Sequence, residues 1–296
     1  MRGGVTMASA WNAKKDNAFI FAMVANYLNL CDCAIDQASM QDMKLSGLPS
    51  EECFAMMLSY VCGLDIDERP EDMALYRRYF PTMVHRLDTR DYQNNPYLKT
   101  IPFTPCQVKQ WTLRKDVYAP YQGFVAGDIV RYPDGRQIPQ IGFFEEPFAF
   151  PAIYEGDRLW MSVVPNEIET MKAPIAKCHG KVATLGLGMG YFAFMVAEKP
   201  EVDEVLVVER DEAVISLFVT HILPHFPHKD KVHILHQDAF DFLDSHKPAD
   251  YDILFCDIWH DVGDGLPLYL RIKDYEPNYP TTQFFYWIET SMQCYL

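Results

Sequence analysis

Apolar residues recur at helical spacing through the first part of the chain. Ala18, Phe19, Phe21, Ala22, Ala25, Tyr27 and Leu28 form one stripe, and Phe54, Met57, Leu58 and Val61 form another. Ser50 followed by Glu51 and Glu52 predicts a helix start, since a hydroxyl caps free amides and acids suit the helix dipole. Gly63 predicts that helix's end, and Pro70 with Glu71 and Asp72 opens another carrying Met73, Leu75, Tyr76, Tyr79 and Phe80. Beyond residue 86 the texture changes. Prolines at 96, 102, 105 and 120 interrupt helices, and β-type segments are predicted at about 108–118 and 124–132, over Phe143–Phe150 and over Leu159–Val164. Tyr132-Pro-Asp-Gly-Arg136 and Tyr154-Glu-Gly-Asp157 read as turns between them.

Pro165 opens a further helix, with Glu167 and Glu169 in its first turn and Gly180 past its end. The rest alternates: strands at 181–186, 204–209, 231–236 and 252–257, and helices at 190–198, 211–221 and 238–245. Such alternation implies parallel pairing with right-handed crossovers. The expected fold class is α/β, a Rossmann-like, mainly parallel sheet occupying residues 165–296. It follows an N-terminal region, 1–164, that is helical over 1–100 and β-rich over 101–164. Pro280 and Thr281 predict a last helix, Gln283–Leu296, so the sheet is read as truncated after four strands. An open edge at the fourth strand would then need cover from the C-terminal helices or from a second copy in a homo-oligomer.

Composition narrows the setting. The chain has 296 residues, 49% hydrophobic and 14% aromatic, enough for a sizeable core. A formal net charge of −15 repels phosphate backbones and argues against nucleic acid as a partner. No apolar run approaches the ~20 residues needed to span a bilayer, so no membrane partner is expected. The opening Met-Arg-Gly-Gly-Val-Thr-Met-Ala lacks the apolar core of a secretory signal, and Met7 is a second candidate start. Eight cysteines are scattered without a Cys-x-x-Cys, which fits buried thiols of a reducing, cytoplasmic compartment. His221, His225 and His228 have metal-ligand spacing, but Pro224 and Pro227 break the helix that would align them, so no metal is expected.

Val182-Ala-Thr-Leu-Gly-Leu-Gly-Met-Gly-Tyr191 carries the most specific chemistry: a buried strand running into a glycine turn. The turn is Gly186-x-Gly188-x-Gly190, and Tyr191 stands where a dinucleotide fingerprint wants its third glycine. A bulky side chain there suits a nucleoside ligand without a pyrophosphate, such as S-adenosylmethionine. Glu209 ends the second strand, where a carboxylate can take both hydroxyls of a ribose. Asp238 and Ala239 follow the third strand, within reach of an adenine, and Asp257 ends the fourth. Asp257 reads either as a site acid or as a cap for the next helix, and His260 either as a proton acceptor or as a loop histidine. The aromatic run from Tyr118 to Phe150 either roofs a pocket or packs between layers.

Residues 155 to about 262 resemble the class I S-adenosylmethionine-dependent methyltransferase fold, and most of all its spermidine synthase-like branch. There a β-rich segment feeds a short helix and then the glycine turn, as Trp160-Met-Ser-Val-Val-Pro-Asn-Glu-Ile-Glu-Thr170 does here. The resemblance covers about a third of the chain. It implies S-adenosylmethionine as cofactor, with Gly186, Gly188 and Gly190 around its amino-acid end. Glu209 would hold its ribose, and Asp238 with the backbone near Ala239 its adenine. Asp257 matches the first acid of an Asp-Ser-Ser-Asp pattern that, in aminopropyltransferases, helps deprotonate the attacking amine. Two departures stand out. Met189 replaces an acid of the turn, and the pattern becomes Asp257-Ile-Trp-His-Asp261.

The resemblance therefore implies methyl transfer to a small-molecule or peptide acceptor, with Asp257 and His260 as candidate catalytic groups. Aminopropyl transfer from decarboxylated S-adenosylmethionine ranks second. A non-catalytic nucleoside-binding protein of the same fold is third, and a nicotinamide dehydrogenase, disfavoured by Tyr191, is fourth.

Overall fold

Each apolar stripe becomes a helix in the computed structural model of the chain, which describes residues 12–45, 47–245 and 250–296. Met7 lies outside the described residues. Helices α1 (Ala13–Leu30), α2 (Gln37–Lys44), α3 (Ser50–Val61) and α4 (Pro70–Met83) come first, then β1 (Val84–Leu87) and the short helices α5 (Thr89–Gln93) and α6 (Pro96–Thr100). Strands β2 (Cys106–Val108), β3 (Trp111–Tyr118), β4 (Phe124–Arg131), β5 (Gln137–Phe144), β6 (Phe148–Glu155) and β7 (Arg158–Ser162) follow. The alternating part runs α7 (Pro165–Lys177), β8 (Gly180–Leu185), α8 (Tyr191–Ala197), β9 (Val202–Glu209), α9 (Glu212–His221), β10 (Val232–His236), α10 (Ala239–Ser245) and β11 (Ile253–Cys256). It closes with α11 (Val262–Lys273), β12 (Gln283–Tyr286) and α12 (Glu289–Cys294). One cap differs from expectation: Pro49, which has no hydroxyl, holds the cap position of α3, and Ser50 is already its first helical residue.

The chain divides into two compact units. The first holds the chain up to Arg86 with Tyr121–Val125 and Ile129–Phe143; the second holds Leu87–Pro120, Ala126–Asp128 and Phe144–Leu296. The sequence suggested a boundary at 164/165; the second unit takes in much of the β-rich segment before it.

In the first unit α1, α3 and α4 meet in a core around Ile20, Tyr27, Phe54, Tyr79 and Phe80. The face of α1 differs from the expected stripe: Ile20, Met23, Val24 and Tyr27 are buried, whereas Ala18, Phe19, Ala22 and Ala25 are exposed, because α1 turns its other side to the core. Phe54 lies flat on Phe143 with ring centroids 4.2 Å apart. Buried Asn17 accepts from the Tyr79 hydroxyl at 2.8 Å and from Gln137 N at 3.1 Å, and donates to Gly135 O at 2.9 Å. A buried amide needs such saturation, and here it pins the Pro-Asp-Gly turn read from the sequence.

The second unit contains two sheets. One is antiparallel, in the order β2-β3-β6-β7, and the Tyr154–Asp157 turn closes its last hairpin at the pair Glu155 and Arg158. The other is parallel, in the order β10-β9-β8-β11-β12. All four residues of β11 and the last four of β8 are buried, as central strands covered on both faces must be.

The expected truncation is corrected. Gln283–Tyr286 is a fifth parallel strand, paired with β11 from Ile253 opposite Gln283 to Cys256 opposite Tyr286, and only Glu289–Cys294 is helical. Four residues, Gln-Phe-Phe-Tyr, are too few to show a strand period, and the preceding Pro280-Thr281 mimics a helix start. Tertiary pairing decides the matter, so β11 is an inner strand and β10 and β12 are the edges of the sheet. Among the described residues no helix is long and apolar enough to cross a membrane.

Candidate functional site

Backbone hydrogen bonds carry the parallel ladder just past the strand tips and fix the loops that leave them. Gly186 N donates to Val208 O at 2.9 Å, Asp257 N to Leu185 O at 2.9 Å, Gln237 N to Glu209 O at 3.1 Å and Trp287 N to Cys256 O at 3.0 Å. The four loops therefore open over one crevice, as expected at the carboxyl ends of a doubly wound sheet. A cavity of about 370 Å³ lies there, entirely within the second unit.

The three glycines of the turn do different work. A Cβ on Gly186 would lie 2.0 Å from the carbonyl oxygen of Asp257, so this glycine lets two strand ends touch. At Gly190 the Phe218 ring occupies that place at 2.2 Å, a matter of helix packing, and Gly190 does not line the cavity. Gly188 has nothing within 4 Å and presents bare backbone on the cavity wall. The turn is held from behind by α6. There the Tyr97 hydroxyl donates to the Met189 carbonyl, the Tyr97 ring meets Tyr191 edge-on at 5.5 Å, and Asn95 Nδ2 donates to the Tyr191 hydroxyl at 3.2 Å. Nothing in the sequence pattern of Asn95–Tyr97 announced this support.

Glu209, Asp238, Ala239, Asp257 and His260 all line the cavity. Glu209 Oε2 accepts from Leu187 N at 3.1 Å and Oε1 from Asp211 N at 2.8 Å, so the carboxylate braces the glycine turn. Each oxygen retains a further lone pair. Asp238 Oδ1 accepts from Phe240 N at 2.8 Å, which fixes the start of α10. Asp257 does not cap the helix after it. That task falls to Asp261, which accepts from Gly263 N and Asp264 N at the head of α11. His260 is half-buried, with its ring stacked on Trp160 at 5.6 Å and 18°.

Two kinds of site residue escaped the sequence reading. The first is Glu167, which the sequence marks only as a dipole-matching acid in the first turn of α7. It lines the same cavity as Asp257, and burial followed by the Asp257 charge holds its carboxyl well above the usual range. Asp257 is pushed up to about 7, by burial and then by the charge of Glu209. The second kind is aromatic: Trp111, Trp160, Trp259 and Trp287 line the cavity, four of the five tryptophans in the chain. Trp111 is set by a hydrogen bond from Nε1 to Asp211 at 3.1 Å, and its ring tilts against Trp160 at 5.6 Å. By contrast the run Tyr118–Phe150 contributes nothing to the wall, and Phe143, Phe144, Phe148 and Phe150 are buried core. No three His, Cys, Asp or Glu side chains among the described residues gather as metal ligands would.

No family model matches the sequence, and neither does any curated protein. Solved structures do. A spermidine synthase from Thermotoga maritima is 17% identical over 38% of this chain and 44% of its own, with a TM-score of 0.29. A spermidine synthase in complex with the transition-state analogue AdoDATO is 17% identical over 37% of this chain and 44% of its own, at 0.29. A protein from Klebsiella pneumoniae assigned to the O-methyltransferases is 22% identical over 31% of this chain and 40% of its own, at 0.25. In each case the match spans less than half of the other protein's length. The sheet order and crossover helices make the second unit a Rossmann-like α/β domain, and structures similar to it include spermidine synthases and an O-methyltransferase.

Proposed function

We propose that the second unit binds S-adenosylmethionine across the tips of β8, β9, β10 and β11 and transfers its methyl group to a small acceptor. The observation that carries this reading is the placing of Gly188, Glu209, Asp238 and Asp257 around one cavity. The cavity fits the cofactor's chemistry. Gly188 leaves open space where backbone must approach a ligand, and the acids favour a sulfonium and repel the pyrophosphate of a dinucleotide. Glu209 would hold the ribose, Asp238 with the backbone at Ala239 the adenine, and the backbone at Gly186 and Gly188 the amino-acid end. When bound, the cofactor supplies a methyl group already activated on sulfur. The chain's own contribution is to align the acceptor, exclude water and take a proton, and Asp257 is the group poised for that transfer. His260, stacked on Trp160, is the alternative proton acceptor.

Thermal melts test the reading. S-adenosylmethionine and its demethylated product should each raise the melting temperature by mass action, about 2.7 kcal/mol at a hundredfold excess over Kd, and NAD should not. Glu209→Ala and Asp238→Ala should each weaken binding at least tenfold. A shift with NAD alone defeats the proposal.

Glu167 favours a second reading, aminopropyl transfer. It returns to the cavity a carboxylate of the kind whose absence at Met189 spoke against an amine site. Tighter binding of decarboxylated S-adenosylmethionine than of the methyl donor would reverse the ranking.

A further inference from the structure

The acids of this cavity fall into two groups. Glu209 accepts from Leu187 N and Asp211 N, and Asp238 from Phe240 N. Asp211 accepts from Ala213 N, Val214 N and Trp111 Nε1, and Asp264 from His260 N and Asp261 N. These four are engaged by the fold. The side chains of Glu167 and Asp257 have neither a hydrogen-bond nor an ion-pair partner among the described residues, although both line the cavity and the charge of Asp257 bears on Glu167. Two unpartnered carboxylates on the wall of one cavity mark a seat for one cation. Among the described residues the only Lys or Arg on the wall is Arg210, and it is exposed.

The surroundings of that seat are apolar. Trp160, Met161 and Val163 come from β7 and its end, Met171 from α7, Leu268 from α11, and Trp287 follows β12. Trp160 and His260 present half-buried rings on the same wall. The indole of Trp259, 6% exposed, has its Nε1 buried without a hydrogen-bond partner among the described residues, a further polar group that the protein itself leaves unsatisfied. Among the described residues no further unengaged acid stands along the wall to receive a second ammonium.

Resting on the cofactor reading above, we propose that the acceptor is a monoamine on an apolar, ring-bearing body, its ammonium seated between Glu167 and Asp257 and its ring against Trp160 and His260. A straight-chain diamine lacks a place for its second charge, and a phenol leaves the carboxylates unmatched. In the free protein near neutral pH, burial with neighbouring charge keeps a proton on this pair. The incoming ammonium replaces that proton as the balancing charge, and the proton leaves to solvent. Asp257, ionised once the cation is seated, then takes one ammonium proton and leaves the nitrogen with a free lone pair.

Isothermal calorimetry on the full chain tests this at pH 7, with and without S-adenosylhomocysteine, using phenethylamine, putrescine and p-cresol. The nucleoside is titrated separately. Phenethylamine should bind at least tenfold more tightly than the other two, with release of up to about one proton read from buffers of different ionisation enthalpy. Glu167→Gln, which keeps shape and removes the paired acid, should weaken phenethylamine at least tenfold and reduce the proton release. Trp160→Ala should weaken binding and leave the proton count unchanged, and melting curves of both variants check their fold. Equal binding of putrescine or p-cresol overturns the inference, as does unchanged amine binding in Glu167→Gln. Nucleoside binding without amine binding sinks the acceptor inference alone. Amine binding without nucleoside binding sinks the cofactor reading alone, and failure of both sinks both.

Discussion

Gly186→Ala should lower stability by about 3–5 kcal/mol and abolish the proposed nucleoside binding. The new Cβ would stand 2.0 Å from Asp257 O and 2.9 Å from Asp257 C, and both of those atoms are backbone. Neither side can retreat. Gly186 N is tied to Val208 O and Asp257 N to Leu185 O, each at 2.9 Å, so movement breaks the ladder that shapes the crevice. The residue's φ of +97 adds strain for any residue with a side chain. Gly188→Ala is the matched comparison. Its φ of +54 costs roughly 1–2 kcal/mol, but nothing lies within 4 Å of the added carbon. This variant should fold and lose nucleoside affinity tenfold or more, because the methyl occupies the space where ligand meets backbone. Urea unfolding and calorimetric titration separate the two effects. A Gly186→Ala protein as stable as the wild type would contradict the close strand contact described here.

Stability should fall as pH rises from about 4 to about 7, and Asp257→Asn should remove much of that fall. The Asp257 carboxyl holds its proton up to about 7 in the folded chain, against an ordinary value of 3.8. At low pH the carboxyl is protonated in both states and the folded state is not penalised. As pH rises, the unfolded chain gives up this proton first, and the folded chain must either keep it or bury a charge beside Glu209. Across that window the folded state loses roughly 2–4 kcal/mol relative to the unfolded. Glu167, raised by the same burial and by Asp257 itself, acts in the same direction. Asp257→Asn should therefore stabilise the protein at pH 8 and leave it little changed at pH 4.5. Methyl transfer would change oppositely: it needs Asp257 ionised, so activity should rise with pH through about 7 and be lost in the variant. Denaturant unfolding at the two pH values reads the stability part alone. A wild-type curve that rises through this window would show that Asp257 meets water or a cation.

Much of the second unit was legible because its signals are local. The strand Val182–Leu185 runs into glycines and the apolar β9 ends in Glu209, and each pattern declares itself within ten residues. The same holds for α3 and α4 in the first unit, where proline, acids and a stripe of one face suffice. β12 was missed because its four residues acquire strand character only by pairing with β11. Likewise α6 has no motif to report, yet its Tyr97 fixes the glycine turn through the Met189 carbonyl.

By itself, then, the sequence determined where the crevice forms and which acids stand at its strand tips, since turn geometry and strand ends are set by near neighbours along the chain. Only the tertiary structure decided what each acid does. Asp261 and Asp264 are taken up by the head of α11, Glu209 by the glycine turn, and Glu167 and Asp257 are left facing one cavity from elements 90 residues apart in sequence. It also gathered Trp111, Trp160, Trp259 and Trp287 on one wall. Charge coupling and aromatic walls depend on distance through space, which no spacing along the chain encodes.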